Sequence, residues 1–98
     1  MKIKILPSAL ADLDRGRQFY ARQEKSLGDY FLDAIFSDID SLVLYAGIHL
    51  KVFGFHRLLA KRFPYAVYYK VDGDVSVVFR VLDCRRRSPE KTANQLPL

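Results

Sequence analysis

Two strand-forming runs joined by a tight turn constrain the fold of this chain more than any other feature of its sequence. Tyr65–Val71 is rich in Tyr and Val, Val75–Leu82 is rich in Val, and both residue types favour strands. The intervening Asp72-Gly73-Asp74 has the composition of a hairpin turn. These features predict an antiparallel pair of strands.

The length of the loop decides which side chains share a face of this hairpin. A two-residue loop would pair Val71 with Asp74, whereas a three-residue loop pairs Val71 with Val75. The second register is favoured because it gathers the apolar side chains on one face. That face comprises Val67, Tyr69, Val71, Val75, Val77, Phe79 and Val81. The opposite face comprises Ala66, Tyr68, Lys70, Ser76, Val78, Arg80 and Leu82.

Two further segments have the pattern of strands. Lys2–Leu6 alternates between polar and apolar residues and is closed by Pro7. Phe55–Lys61 is also strand-like, and Phe63-Pro64 breaks the chain before the next strand. Together with the hairpin, these segments predict an N-terminal strand and a three-stranded antiparallel meander.

Apolar residues at helical spacing predict two helices between the first and second strands. One covers about residues 8 to 24, with Ser8 as its N-cap. The other covers about residues 27 to 46, is opened by a capping box at Ser26, and ends near Gly47. A short linker between them predicts a helical hairpin.

The second helix carries two apolar stripes. One stripe is predicted to pack on the sheet and the first helix, and it comprises Leu27, Phe31, Ala34, Ile35, Leu42 and Tyr45. The other stripe comprises Leu32, Phe36, Ile39 and Val43. This second stripe is either further core or an exposed patch for a partner.

These elements predict an α+β fold in which the helices pack on one face of a twisted sheet. A chain of 98 residues is expected to form a single domain, residues 1–98. Its lone cysteine, Cys84, excludes an intramolecular disulfide. No run approaches the roughly 18 apolar residues of a membrane span. We therefore expect a cytoplasmic protein with no membrane partner.

Positive charge is concentrated in the second half of the chain. The whole sequence has 16 Lys and Arg against 11 Asp and Glu, a formal net charge of +5. From Phe55 onward the basic residues are Arg57, Lys61, Arg62, Lys70, Arg80, Arg85, Arg86, Arg87 and Lys91. The acidic residues there are Asp72, Asp74, Asp83 and Glu90. The asymmetry favours an anionic partner over a role in solubility alone.

Motifs for metal or nucleotide chemistry are missing from the sequence. His49 and His56 stand seven residues apart, and no zinc-binding spacing accompanies them. The glycines are scattered rather than grouped in a phosphate-binding loop. We therefore expect no metal and no cofactor.

Three segments, FPYAVYYKV, VSVVFRVLD and CRRRSPEK, together with the order of elements, resemble the RelE/ParE family of bacterial type II toxins. The resemblance covers nearly the whole chain. It implies a toxin that is neutralised by an antitoxin encoded beside it, whose amphipathic segment crosses the helices and the open sheet. The residues expected to bind target or antitoxin are Tyr68, Lys70, Arg80, Arg85, Arg86, Arg87, Leu32, Phe36, Ile39 and Val43.

The family's two branches imply different activities. RelE-like members cleave mRNA on the ribosome, which would assign catalysis to Arg57, Lys61, Arg80 and Arg85. Such members commonly carry Arg in place of Ala66 and a titratable residue near the C-terminus, where this chain has Ser88, Pro89, Glu90 and Lys91. Arginine is too basic to exchange protons at neutral pH.

ParE-like members, which are linked to plasmid stabilisation, poison DNA gyrase and share an Arg-rich tail. The tail of this chain is closer to that branch, although Asp83 stands where a His is often found. The resemblance therefore favours a non-catalytic inhibitor of gyrase. The alternatives are a ribosome-dependent mRNA endonuclease and a degenerate member without toxicity.

Overall fold

The computed structural model describes residues 1–85 and 95–96, which form helices packed on one face of a five-stranded mixed sheet. The helices are α1 (Pro7–Ala21), α2 (Lys25–Asp40) and α3 (Leu42–Tyr45). The strands are β1 (Lys2–Ile5), β2 (Lys51–Val52), β3 (Phe55–Leu59), β4 (Tyr65–Asp72) and β5 (Val75–Asp83). No helix in this part of the chain is long and apolar enough to cross a membrane.

The predicted α+β class is confirmed, and the sheet is larger than the sequence indicated. Its strand order is β1-β5-β4-β3-β2, with β1 parallel to β5 and the other neighbours antiparallel. The additional strand β2 falls in a segment that was predicted to be a connection. Two residues are too short to show strand periodicity, and positive φ angles at Phe53 and Gly54 turn the chain back into β3.

The β4–β5 hairpin adopts neither of the registers considered from sequence. Asp72 pairs with Val75, so the loop consists of Gly73 and Asp74 alone. Gly73 has a φ of 60°, the left-handed conformation that the first residue of such a two-residue loop requires. The predicted three-residue loop is therefore wrong.

A β-bulge then changes the register along β5. Tyr69 pairs with Val78 and Tyr68 with Arg80, which leaves Phe79 as the extra residue. Val78 therefore joins Val81 on the helix side of the sheet, where both are buried. The predicted faces are wrong for every β5 residue before the bulge: Ser76 and Val78 lie on the helix side, and Val75, Val77 and Phe79 lie on the opposite side. The period of two is interrupted between Phe79 and Arg80, so only the residues from Arg80 onward keep their predicted faces.

The helix boundaries also differ from those predicted. Proline at the first position lets α1 begin at Pro7, and the Ser8 hydroxyl donates to the Phe79 carbonyl oxygen at 2.7 Å instead of capping the helix. Ser26 lies inside α2 and donates to the Glu24 carboxylate. The single long helix predicted to Gly47 is divided at Ser41 into α2 and α3.

The main core lies between the helices and the sheet. Its members are Ala9, Leu13, Tyr20, Phe31, Ile35, Ile39, Leu42, Leu58, Tyr65, Val67, Tyr69, Val78 and Val81. The two long helices approach closely at glycines. A Cβ atom on Gly28 would lie 2.8 Å from the Arg17 carbonyl oxygen and 2.9 Å from the Ala21 Cβ. The close packing of α1 against α2 therefore depends on the absence of a side chain at Gly28.

We expect Gly28→Ala to lower the free energy of unfolding by about 1–2 kcal/mol, because overpacking against backbone costs more than the helix propensity gained. Urea denaturation measures the change. Ser37→Ala, on the exposed side of the same helix, is the matched control and should leave stability unchanged or slightly raised. Equal stabilisation by both substitutions would contradict the close approach.

Candidate functional site

The sheet face opposite the helices carries a second apolar cluster, and because no helix of residues 1–85 covers it we call it the helix-free face. Its buried members are Phe55, Ala66, Tyr68, Leu82 and Leu96, with Val52 and Phe79 packed against them. Neighbouring β4 residues alternate between this cluster and the main core, which fixes the two as opposite faces of the sheet. Tyr68 was predicted on this face and lies there, but it is only 3% exposed.

Lys70 provides exposed positive charge beside this cluster. Its Nζ lies 4.5 Å from the ring centroid of Phe55 and 5.7 Å from that of Phe79. The two rings themselves pack edge to face. A cation over aromatic rings keeps its charge available to an anionic partner while its stem is held in place.

Arg57 contributes an unusual hydrogen-bond donor. Its Nε is buried and, within the described part of the chain, has no hydrogen-bond partner. Arg57 pairs with Tyr68 in the sheet, which places its guanidinium on the helix-free face. Its positive charge also opposes the upward shift that burial imposes on the pKa of the Cys84 thiol.

Arg80 has an intramolecular partner, although it also lines a cavity of about 400 Å³. Its Nε donates to Asp12 Oδ2 at 2.7 Å and its Nη2 to Oδ1 at 2.8 Å. The same carboxylate accepts the Val81 backbone N–H at 2.9 Å and pairs with Arg15. Asp12 is 4% exposed, and its hydrogen bonds raise the pKa of Arg80. This ion pair joins α1 to β5.

We expect Asp12→Ala to lower the free energy of unfolding by about 3 kcal/mol, because it leaves the Arg80 guanidinium and the Val81 N–H without their acceptor. Asp14→Ala removes the exposed pair with Arg17 and should cost less than about 1 kcal/mol. Urea denaturation of both variants measures the contrast. Similar losses in the two would show that the buried pair has no special structural role.

Arg85 is also paired within the chain. Its guanidinium donates to both oxygens of Asp83, at 2.6 to 3.2 Å, and lies 5.1 Å from the Phe19 ring centroid. The hydrogen bonds from Asp83 raise the pKa of Arg85 above its ordinary value. Burial chiefly, with Asp83 and Tyr20 adding, raises the pKa of the adjacent Tyr65 to about 12.

The remaining predicted basic residues have other environments. Lys61 is exposed between β3 and β4, where its backbone N–H donates to the buried Asp38 carboxylate. The four residues assigned to a nuclease site therefore do not share one environment. They are Arg57, Lys61, Arg80 and Arg85. Arg86 and Arg87 lie outside the described residues.

The predicted second stripe of the long helix is only partly exposed. Ile39 is buried in the main core, and Leu32 packs against it. Phe36 and Val43 are exposed. Tyr45, which was predicted to pack on the sheet, is exposed as well, because α3 is a separate short helix.

Acidic side chains accompany the exposed apolar residues of α2. Asp29, Asp33, Phe36 and Asp40 recur at i, i+4, i+7 and i+11, which places them on one side of the helix. All four are exposed, and the ion pairs found in residues 1–85 include none of these aspartates. Like charges at this spacing oppose the helix slightly, so a basic partner would stabilise it.

A polar cluster missed from sequence ties the α3–β2 connection to the sheet. The Tyr69 hydroxyl accepts the Gly47 N–H at 3.0 Å and pairs with His49 Nδ1. His56 Nδ1 donates to the His49 carbonyl oxygen at 2.7 Å, and its ring stacks on Tyr69. Burial, and then the neighbouring His56, lower the pKa of His49. No group of described residues could hold a metal.

The lowered pKa of His49 predicts pH-dependent stability. The folded state favours neutral imidazole, so this stabilisation is present above the ordinary value of 6.5 and is lost as pH falls through the lower folded-state value. We expect wild-type protein to lose more stability than His49→Gln between pH 8 and pH 5. Urea denaturation at both pH values measures the difference; identical losses would contradict this role.

Comparisons with known proteins agree with this architecture. A sequence model described as the ParE toxin of type II toxin–antitoxin system, parDE, matches residues 3–88. A solved structure titled "Chromosomal ParDE TA system from P. aeruginosa" superposes with a TM-score of 0.75 at 23% sequence identity, over 83% of this chain and 92% of that one. No curated protein sequence matches.

Proposed function

Because the chain belongs to the ParE toxin family of type II toxin–antitoxin systems, we propose that it arrests growth by binding DNA gyrase. We propose further that an antitoxin encoded beside it neutralises this activity. The observation that carries a binding role is the pairing of Arg80 with Asp12 and of Arg85 with Asp83. Guanidinium groups neutralised in this way are weak stabilisers of a phosphoryl transition state, which requires uncompensated positive charge.

The helix-free face supplies groups suited to an inhibitor. Lys70 and Arg57 supply positive charge, and Phe55 and Phe79 supply an apolar floor. A positive patch around an apolar centre fits an acidic surface of a protein target. We assign gyrase binding to this face.

The outer side of α2 fits a segment of the antitoxin. Phe36 offers an apolar contact, with Asp29, Asp33 and Asp40 on the same side of α2, and Val43 of α3 is a further exposed apolar side chain. An amphipathic helix carrying Lys or Arg beside its apolar stripe is complementary to this surface. The antitoxin segment bound here is therefore basic, in contrast to the acidic partner that the sheet favours.

Supercoiling by purified gyrase tests the toxin activity. We expect wild-type protein to inhibit, and Lys70→Glu to need about ten times more protein for the same inhibition, because it places a like charge against an acidic target. Lys25→Glu, an exposed charge reversal at the start of α2 and so on the other side of the sheet, is the matched control and should inhibit as wild type does. Unimpaired supercoiling at high molar excess of wild type would overturn the gyrase assignment.

Two further measurements separate the alternatives. Primer extension on translated mRNA would reveal codon-positioned cuts if the chain were a ribosome-dependent endonuclease; Lys61→Ala is the informative variant, since Arg80→Ala also breaks a structural ion pair. Expressing the gene alone and then with its neighbour tests toxicity itself. Growth that continues in the first case identifies a member without toxicity.

A further inference from the structure

A small cavity lies where the β2–β3 hairpin meets the end of β4, and the proposed function does not use it. Its volume is about 180 Å³, and its lining is formed by Lys51, Gly54, His56, Lys70 and Val71. Two of these residues are lysines, one is a histidine, and none of the five carries a carboxylate. The cavity therefore has the electrostatic character of a site for an anion.

Lys51 and His56 face each other directly across the β2–β3 hairpin. They are paired residues of the two strands, so their side chains leave the sheet on the same face. A protonated His56 stands opposite the ammonium of Lys51, and like charges in this position destabilise a strand pair. An anion between the two side chains would convert that repulsion into attraction.

The described part of the chain provides no counter-ion for these lysines. The ion pairs of residues 1–85 include neither Lys51 nor Lys70. The sequence between Asp40 and Asp72 contains no Asp or Glu at all. Nζ of Lys70 is held 4.5 Å from the ring centroid of Phe55, a contact that uses none of its N–H groups in a hydrogen bond. Both ammonium groups therefore remain available to an anion from outside.

The hydrogen bond of His56 to the backbone fixes its tautomer. Its Nδ1 lies 2.7 Å from the His49 carbonyl oxygen, which can only accept, so Nδ1 carries a proton. In the neutral ring Nε2 is then an acceptor, and it becomes a donor when the ring takes up a second proton. That proton leaves the bond to His49 intact. His56 can therefore donate an N–H to an anion at Nε2 only in its protonated form.

The titratable or charged groups around His56 are Lys51 from β2, His49 from the preceding connection, and Tyr69 and Lys70 from β4. The Tyr69 ring stacks on the imidazole and favours its cation, whereas the two lysines oppose the cation. An anion in the cavity offsets the charge of the lysines. Binding of the anion and binding of the proton therefore strengthen each other.

We propose that this cavity binds a phosphate group, with Lys51 and Lys70 as its counter-charges and Nε2 of protonated His56 as a hydrogen-bond donor. Lysine binds phosphate as a compact point charge, and a doubly charged phosphate matches two ammonium groups better than a singly charged carboxylate does. Free phosphate and the terminal phosphate of a nucleotide share this chemistry. The site does not depend on the proposed gyrase target.

Titration of the full-length protein with sulfate tests the site, because sulfate is a tetrahedral dianion whose charge is constant between pH 6 and pH 8. The amide NMR signals of Gly54, His56 and Val71 measure occupancy, with chloride at equal ionic strength as the reference. We expect saturable shifts with a Kd on the order of 1 mM at pH 6. Binding at pH 8 should be about tenfold weaker, because His56 then lacks the donor proton.

Variants separate a defined site from attraction to the net charge. Lys51→Gln should weaken sulfate binding at pH 6 about tenfold, because one of the two counter-charges is lost. Lys25→Gln, at the start of α2, changes the net charge equally and should bind as wild type does. His56→Gln should bind equally at pH 6 and pH 8. Equal weakening by Lys51→Gln and Lys25→Gln, or wild-type binding that is the same at both pH values, would overturn the proposal.

Inorganic phosphate and adenosine monophosphate, compared at pH 7, distinguish the two sources of the phosphate group. Equal affinity assigns the site to free phosphate. Tighter binding of the nucleotide, with no binding of adenosine, assigns it to a terminal phosphate. If neither sulfate nor inorganic phosphate gives saturable shifts at about fifty times the expected Kd, the cavity is not a phosphate site.

Discussion

The buried carboxylate of Asp12 is the interaction on which the arrangement of this small domain depends. Strand β1 pairs with β5 only from Val75 to Val78, so the outer edge of β5 beyond that point needs another partner. Asp12 supplies it by accepting the Val81 N–H, and it orients Arg80 with two further hydrogen bonds. A buried charge is tolerated because every contact neutralises or satisfies it. Helix α1, the sheet edge and, through Arg80, the Gln95 carbonyl oxygen are therefore coupled through one side chain.

The bulge at Phe79 distributes the residues of β5 between the two sides of the sheet. Without an extra residue, Val78 and Val81 would point to opposite faces, since their separation is odd. The bulge places both in the main core and releases Phe79 to pack with Phe55. It thereby builds the aromatic floor over which Lys70 lies. The same local irregularity serves the core and the proposed binding surface.

Sequence periodicity was sufficient to predict the class of fold, the helix hairpin and the β4–β5 pair. Each of these elements spans several helical turns or several alternations of side chains between the two faces of a strand. It was insufficient where one residue changes the geometry, as at the Gly73-Asp74 loop and Phe79. The role of Asp12 had a weak signal: it lies three residues after Ala9 and four before Gly16, within the apolar stripe of α1. Its partner is 68 residues away, a contact that local spacing does not encode.

The net charge of this domain hides an uneven distribution of charge between its two surfaces. The formal charge of +5 suggests a uniformly basic protein, yet the outer side of α2 presents three unpaired aspartates among the residues described. Asp12 and Asp83 also neutralise Arg80 and Arg85, so Lys70 and Arg57 carry more of the helix-free face's attraction than their number indicates. An antitoxin that contacts both surfaces therefore needs a basic segment for the helix and an acidic one for the sheet. A partner of uniform charge would be repelled by one of the two.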